Sequence, residues 1–184
     1  MSRKGVVAVG GIAVLAAATA LAVPAGAVRA GAAPACVGRD LTGSFAAVPG
    51  SAGAGQISYN LRLRNRSSRA CFVSGLPALH LVDRAGRLLP THITAAHPGA
   101  LTAVRVLLRP GGYSAATARF SPDVPGTGEQ MTGRCEQRAF RARVTAPPGG
   151  GVVVVPLVPA TPVCERGSIV FSVLVSGKNG PATG

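Results

Sequence analysis

Alternation of apolar and polar residues along the chain predicts a protein built of β-strands. The clearest case is QISYNLRL, residues 56–63, where every second residue from Ile57 to Leu63 is apolar and the residues between them are polar. Such alternation puts one face of a strand against a core and the other face in water. No segment has the 3.6-residue period of an amphipathic helix. Further strands are predicted over residues 70–73, 78–83, 104–109, 113–120, 140–144, 152–158 and 168–176.

Turn-forming residues separate these predicted strands. NRSSR, Asn65 to Arg69, is wholly polar, and Asn and Ser side chains readily bond the local backbone. DRAGR, Asp83 to Arg87, predicts a hairpin turn, and VPGSAGAG, Val48 to Gly55, predicts a flexible stretch. About seven to nine short strands with such spacing predict an all-β sandwich.

The N-terminal residues have the pattern of an export signal. Arg3 and Lys4 precede an apolar run from Gly5 to Val23, and Ala25-Gly26-Ala27 supplies the small residues that signal peptidase recognises. We expect residues 1–27 to be a cleaved signal peptide, residues 28–35 to be a linker, and the protein to be secreted. Two alternatives stay open: the run could be kept as a membrane anchor, or Cys36 could carry a lipid. After residue 27 no segment approaches the roughly 20 apolar residues of a transmembrane helix.

The cysteine content predicts two disulfides. An even number of cysteines in an exported chain favours disulfide bonding. Sequence allows three connectivities, and we favour Cys36 with Cys71 and Cys135 with Cys164 because each pair encloses its own half of the domain. Zinc ligand pairs normally stand two to four residues apart, and no two of these cysteines do.

The charge is strongly positive. The formal net charge is +13, and it falls by two to +11 when Arg3 and Lys4 leave with the signal. A cationic surface attracts polyanions, and arginine in particular donates paired hydrogen bonds to phosphate and carboxylate groups. The arginine excess is equally expected from a GC-rich genome. If their strands share a sheet, the candidate contacts for a polyanion are Arg62, Arg64, Arg66, Arg69, Arg141 and Arg143.

Residues for catalysis or metal binding do not form a recognisable pattern. A glycosidase needs two carboxylates flanking a cleft, and no pair here is clearly placed to converge. His92 and His97 are expected to point to opposite faces. A nucleophile elbow, a phosphate loop and a dinucleotide fingerprint are all missing. We therefore expect no enzyme activity, no cofactor and no metal. The residues considered are Asp40, Asp83, Asp123, Glu129, Glu136, Glu165, His80, His92 and His97.

Several landmarks follow one another from Cys36 to Val175: AC at Cys36, GAG at 53–55, LRNRSSRACFVSGLP at 63–77, DRAGR at 83–87, LLRPGGYSAA at 107–116 and the late Cys135 and Cys164. Their order resembles the DUF4232 domain of secreted and lipid-anchored actinobacterial proteins. The resemblance implies an immunoglobulin-like antiparallel β-sandwich with two disulfides over residues 36–176, in an extracytoplasmic protein, and it implies no activity. Residues 177–184, GKNGPATG, are predicted to be a disordered tail.

Two functions follow as hypotheses. The first is a monomeric, non-catalytic module of the cell envelope that binds anionic polymers through an arginine-rich face. Specific nucleic-acid binding is not expected, because there is no Trp and there are only two Tyr and five Phe to stack on bases. The alternative is a secreted inhibitor of a protease or another hydrolase, using the loop Ser121 to Cys135. If neither holds, the domain is structural and the arginines reflect composition.

Overall fold

The computed structural model of the chain describes Gly5 and residues 32–98, 104–146 and 150–183. The expected signal peptide, apart from Gly5, and the first residues of the expected linker lie outside the described residues. Residues Ala32–Gly184 form one compact unit. Within the described ranges, no helix has the length and apolar character needed to cross a bilayer.

The described residues confirm the all-β prediction. They form eleven strands, with a 3₁₀ turn at Gly38–Asp40 and a four-residue helical turn at Cys164–Gly167 as the helical elements. The strands are β1 Leu41–Ala47, β2 Ile57–Asn65, β3 Cys71–Ser74, β4 Ala78–Val82, β5 His92–Ala95, β6 Arg105–Leu108, β7 Tyr113–Phe120, β8 Ala139–Thr145, β9 Val152–Thr161, β10 Ser168–Phe171 and β11 Val175–Ser176.

Nine strands form one mixed sheet in the order β4-β8-β9-β1-β2-β7-β10-β5, with β11 beside β7, and β3 pairs with β6 separately. β1 with β9 and β5 with β10 are parallel pairs, and the other pairs are antiparallel. The two ends of the order approach each other, since the Leu81 N–H on β4 donates to Thr91 Oγ1, next to β5, at 3.0 Å. The sheet is therefore nearly a barrel. This differs from the expected antiparallel sandwich, because alternation along a strand determines its buried face and not its neighbour.

The inward faces meet in an aromatic core. Phe45, Tyr59, Phe120 and Phe171 are fully buried or nearly so. The Phe45 ring centroid lies 5.5 Å from that of Tyr59 and 5.7 Å from that of Phe171. The Tyr59 hydroxyl donates to the Pro159 carbonyl at 2.8 Å, and burial raises the pKa of Tyr59 to about 12. This neutral phenol therefore links β2 to β9.

The favoured disulfide connectivity is confirmed. Cys36 bonds Cys71 and Cys135 bonds Cys164, with Cα–Cα distances of 4.9 and 5.5 Å. The first bond holds the segment before β1 against β3. The second holds the loop before β8 against the turn that precedes β10.

β1 was not predicted, although it lies in the middle of the large sheet. Its inward positions are Leu41, Gly43 and Phe45, so the apolar alternation is interrupted by a glycine. A Cβ at Gly43 would lie 2.3 Å from the Arg62 carbonyl oxygen. The close approach of β1 to β2 requires this glycine, and the same glycine weakens the sequence pattern. β5 was not predicted either, and the strand predicted over 168–176 is split into β10 and β11.

Two segments predicted to be flexible or disordered are ordered by hydrogen bonds. Between β1 and β2, Gly53 and Gln56 form a bridge, and the Ser58 N–H donates to Ser51 Oγ at 3.1 Å. Residues 177–183 pack against β2 and β7 through the Asn60 and Arg62 side chains. The second set leaves no trace in local composition, because its partners lie more than a hundred residues apart in sequence.

Candidate functional site

The structure does not bring the six predicted arginine contacts into one cluster. Arg62 and Arg64 on β2 and Arg141 and Arg143 on β8 all point away from the core. They share the outer face of the large sheet, but β9 and β1 lie between their strands. Arg66 and Arg69 lie in the turn after β2.

The NRSSR turn has the structural role predicted from its polar side chains. Asn65 is fully buried, and its amide nitrogen donates to the carbonyls of Arg69, at 2.7 Å, and Leu108, at 3.0 Å. Its Oδ1 accepts the backbone N–H and the hydroxyl of Ser67. The buried Asn65 side chain therefore holds the turn in place. Asn65-Arg66-Ser67 matches the Asn-x-Ser sequence of N-glycosylation sites, and the burial of Asn65 makes it inaccessible to glycosylation in the folded protein.

Several of the predicted contact arginines have intramolecular partners. The Arg62 Nε–H donates to the Lys178 carbonyl, and the Arg66 Nε–H donates to the Arg39 carbonyl at 2.9 Å. The Arg64 guanidinium lies 5.6 Å from the centroid of the Tyr113 ring. These arginines contribute to packing as well as to surface charge.

A different set of arginines lines one open cleft of about 1110 Å³, which we call the arginine cleft. Its walls come from the DRAGR hairpin after β4, the loop around Cys135 with the start of β8, and the turn after Cys164. It is lined by Arg84, Arg87, Arg134, Arg138 and Arg166, with Asp83, Glu129, Glu136, Gln130, Gln137 and Phe140 among the other residues.

The hairpin wall is held by an ion pair, and the predicted DRAGR turn is confirmed. Asp83 accepts the Arg87 backbone N–H at 2.9 Å and the Arg87 Nε–H at 2.7 Å. These bonds from Arg87, side chain first, lower the pKa of Asp83. The neighbouring Arg84 guanidinium stacks 4.7 Å from the centroid of the Phe140 ring. Both arginines are thus fixed at the rim of the cleft.

The opposite wall is a left-handed turn held by Glu129. Glu165 and Arg166 both have φ of 56°, and Gly167 has φ of 78°, a region that side chains other than glycine rarely adopt. Glu129 accepts the backbone N–H groups of Gly126 at 2.7 Å, Glu165 at 2.9 Å and Arg166. Burial acts to raise the pKa of Glu129, but the three N–H bonds outweigh it and the pKa is lowered.

Arg134, Arg138 and Arg166 are left as exposed cations around the cleft. Over residues 32–98, 104–146 and 150–183, Arg87 with Asp83 is the one ion pair. Arg134 and Arg138 form no ion pair with a described carboxylate, whereas the charge of the Arg166 guanidinium helps to lower the pKa of the Glu129 carboxyl. Exposed guanidinium groups in one concave surface are suited to phosphate or carboxylate groups.

Sequence reasoning missed this site although one signal was present. Arg134 and Arg138 flank Cys135 in GRCEQR, and Arg166 follows Cys164 in CERG. The disulfide that the sequence favours joins these two segments, so the arginines beside it must be neighbours. The predicted arginine-rich face was instead based on alternation along the strands, and alternation does not show which strands are adjacent.

No metal centre is formed by the described residues. The one group of potential ligands is Glu129 with Cys135 and Cys164, within 4.8 Å of one another. The two sulfurs are bonded to each other and offer no thiolate, the form of cysteine that binds metals. The described histidines take part in no such group.

Carboxylates converge more than the sequence indicated. Asp83, Glu129 and Glu136 all line the arginine cleft, whereas the sequence showed no pair that was clearly placed to converge. Asp83 and Glu129 nevertheless accept hydrogen bonds that stabilise the walls of the arginine cleft.

Comparison with other proteins gives one finding. Searches of curated proteins and of solved structures gave no match. A family model described as "Domain of unknown function (DUF4232)" matches residues 36–172, which is most of the chain and begins at the first disulfide cysteine. The chain therefore belongs to the DUF4232 domain family.

Proposed function

We propose that this domain is a non-catalytic, extracytoplasmic binding module whose arginine cleft holds anionic groups of a cell-envelope polymer. The observation that carries the proposal is that the exposed Arg134, Arg138 and Arg166 line one cleft beside a disulfide that joins their backbone segments. Rigid placement reduces the entropy lost on binding. Two disulfides support an oxidising location.

The state of the carboxylates supports a binding role over a catalytic one. A carboxyl group that acts as a general acid needs a raised pKa. Asp83 and Glu129 instead have lowered pKa values because they accept hydrogen bonds from Arg87 and from backbone N–H groups. Both therefore remain ionised and act as structural acceptors.

The positions of the aromatic residues favour an anionic polymer without bases. Phe45, Tyr59, Phe120 and Phe171 are in the core, and so few rings remain for the stacking that single-stranded nucleic acids require.

The test compares two variants that lose the same charge. The cleft variant, Arg134→Ala/Arg138→Ala/Arg166→Ala, removes three arginines that line the cleft. The control variant, Arg64→Ala/Arg69→Ala/Arg143→Ala, removes three arginines elsewhere on the surface. Binding of residues 28–184 to a purified teichoic-type polymer is measured by co-sedimentation from about 50 to 300 mM salt, a range over which screening becomes strong.

The cleft variant is expected to lose most binding at 150 mM salt, while the control keeps it with a modest decrease. Equal losses in both variants would show that only net charge matters. Failure of the wild type to bind any anionic polymer would remove the proposal.

The inhibitor alternative has one specific observation in its favour. Met131, in the loop Ser121 to Cys135, is 79% exposed. The loop is held at two points: the Cys164 N–H donates to the Ser121 carbonyl at 2.9 Å, and Glu129 accepts the backbone N–H of Glu165. An exposed apolar residue on a fixed loop suits a protease subsite. Incubation with extracellular serine proteases at a one-to-one ratio tests this: an inhibitor blocks one of them and stays uncut, whereas cleavage next to Met131 without loss of protease activity rejects the idea.

A further inference from the structure

The C-terminal segment lies across the outer face of β2 and β7. β11 ends beside β7, where the Gly177 N–H donates to the Tyr113 carbonyl at 2.9 Å, and the chain then turns back over the sheet. The residues beneath it are buried although they face outward, with Asn60 and Thr117 each 8% exposed. The segment therefore covers a surface that would otherwise be solvated.

The side-chain amide of Asn60 makes two hydrogen bonds to the backbone of this segment. Its Nδ2 donates to the Lys178 carbonyl at 2.8 Å, and its Oδ1 accepts the Gly180 N–H at 3.1 Å. One side chain thus satisfies an acceptor and a donor two residues apart. Both bonds go to backbone atoms of a segment that bends at residues 177–179, and they are independent of its side chains.

Three consecutive residues of the segment are also recognised individually. The Lys178 ammonium lies 5.1 Å from the centroid of the Tyr113 ring. The Asn179 Oδ1 accepts a bond from the Arg62 guanidinium at 3.1 Å. A Cβ at Gly180 would lie 2.3 Å from the Thr117 nitrogen, so only glycine fits there. The surface therefore distinguishes Lys-Asn-Gly from other sequences.

The contact is not tightly filled, which distinguishes it from the core. A cavity of about 500 Å³ lies between the segment and the sheet, lined by Ser51, Ser58, Asn60, Thr117 and the segment itself. Opening of the segment costs only the net contribution of its hydrogen bonds, because the polar groups that it uncovers can then bond to water.

We propose that the outer face of β2 and β7 is a peptide-binding groove for a Lys-Asn-Gly segment, occupied here by the chain's own residues 178–180 and able to take the same sequence from a second copy of the chain. The groove provides backbone pairing through Asn60, one cation–π contact, one amide contact and a site without room for a side chain. The inference is independent of the arginine cleft.

Cleavage at lysine tests the proposal on the full chain. The chain has two lysines, Lys4 and Lys178, so a lysine-specific endoprotease has two sites that mass spectrometry tells apart. The rate of cutting after Lys178 reports how often the segment leaves the groove. Asn60→Ala and Gly180→Ala are expected to raise that rate by about tenfold, since each loses hydrogen bonds or fit worth that much. Gly53→Ala is the control, because a Cβ there meets nothing within 4 Å.

A peptide added in trans tests exchange. The chain shortened to end at Ser176 is titrated calorimetrically with the peptide GKNGPATG and with GKNAPATG. Binding of the first and at least tenfold weaker binding of the second is expected, and Asn60→Ala in the shortened chain is expected to abolish both. Equal binding of the two peptides, or no binding by a shortened chain that circular dichroism shows to be folded, overturns the proposal. If the shortened chain does not fold, equal cleavage rates at Lys178 in the wild type, Asn60→Ala and Gly180→Ala overturn it.

Discussion

At the scale of single residues, the arginine cleft depends on a backbone turn that most side chains disfavour. The left-handed conformation costs an L-residue roughly 1–2 kcal/mol, and Glu165 and Arg166 both adopt it. Bonds from backbone N–H groups to an ionised carboxylate contribute about 1.5–3 kcal/mol each, so the three that Glu129 accepts offset the cost. The position of Arg166 is thus set by Glu129.

Gly167 is where the turn tolerates no side chain. A Cβ there would lie 1.9 Å from the Pro90 carbonyl oxygen, at φ of 78°. Gly133 has a similar φ of 85° with nothing near its Cβ. Gly133→Ala is expected to lower the free energy of unfolding by about 1–2 kcal/mol, and Gly167→Ala by roughly 2–5 kcal/mol because overpacking adds to the conformational cost. Urea denaturation measures both, and equal losses would mean that the contact with Pro90 is easily relieved.

Glu129 should make stability depend on acidity. Its pKa is lower in the folded chain than the usual 4.5, so its stabilising contribution is complete above about pH 4.5 and is lost as the pH falls through the lower, folded value. The free energy of unfolding, measured by urea from pH 7 to pH 3, is expected to fall less steeply in Glu129→Gln than in the wild type. Glu129→Gln should also be less stable at pH 7.

Glu136→Gln provides the control for this measurement. Glu136 lines the same cleft and makes no hydrogen bond or ion pair within the described part of the chain, so its variant should follow the wild-type profile. A Glu129→Gln profile parallel to the wild type would contradict the role given to the Glu129 carboxylate.

At the scale of elements, most strands and both disulfides were predicted from the sequence. The segments that were missed are those whose structure depends on contacts with other parts of the chain. β2 and β8 have strong alternation, and these two strands and β7 were predicted within about two residues, as is usual at strand ends. β1 was missed because Gly43 interrupts its apolar face, and the ordering of residues 177–183 was missed because Asn60 and Arg62 lie more than a hundred residues away in sequence. Local patterns record burial and do not record distant hydrogen bonds.

The two disulfides hold different elements, so their removal should have different functional effects. Each closes a loop, with sequence separations of 35 and 29 residues, and each is worth about 3–4 kcal/mol by loop entropy. Cys36→Ala/Cys71→Ala and Cys135→Ala/Cys164→Ala should therefore lower the melting temperature by similar amounts. Only the second pair should weaken polymer binding, because only that bond joins Arg134 and Arg138 to Arg166.

Polymer binding by both cysteine variants, measured well below their melting temperatures, checks this expectation. Unchanged binding by Cys135→Ala/Cys164→Ala would show that the cleft does not need its disulfide. Equal weakening in both variants would show that binding follows overall stability.

At the scale of the whole molecule, the positive charge is divided among several surfaces. The sequence predicted one arginine-rich face, and Arg62 and Arg64 are separated from Arg141 and Arg143 by β9 and β1. Net charge and alternation could predict that arginines are exposed, but their grouping follows from the strand order, which no local pattern contains. The disulfide was the one long-range constraint available in the sequence, and it leads to the arginine cleft.

The most direct measurement is a titration of the arginine side-chain resonances. In a ¹⁵N-labelled sample of residues 28–184, the Nε–Hε signals are followed by NMR as a glycerol-phosphate oligomer is added at 150 mM salt. We expect the signals of Arg134, Arg138 and Arg166 to shift together with one saturable curve, while those of Arg64, Arg69 and Arg143 move little. Uniform, unsaturated shifts of all arginines would contradict the account, because they would show that the oligomer responds to net charge and not to the arginine cleft.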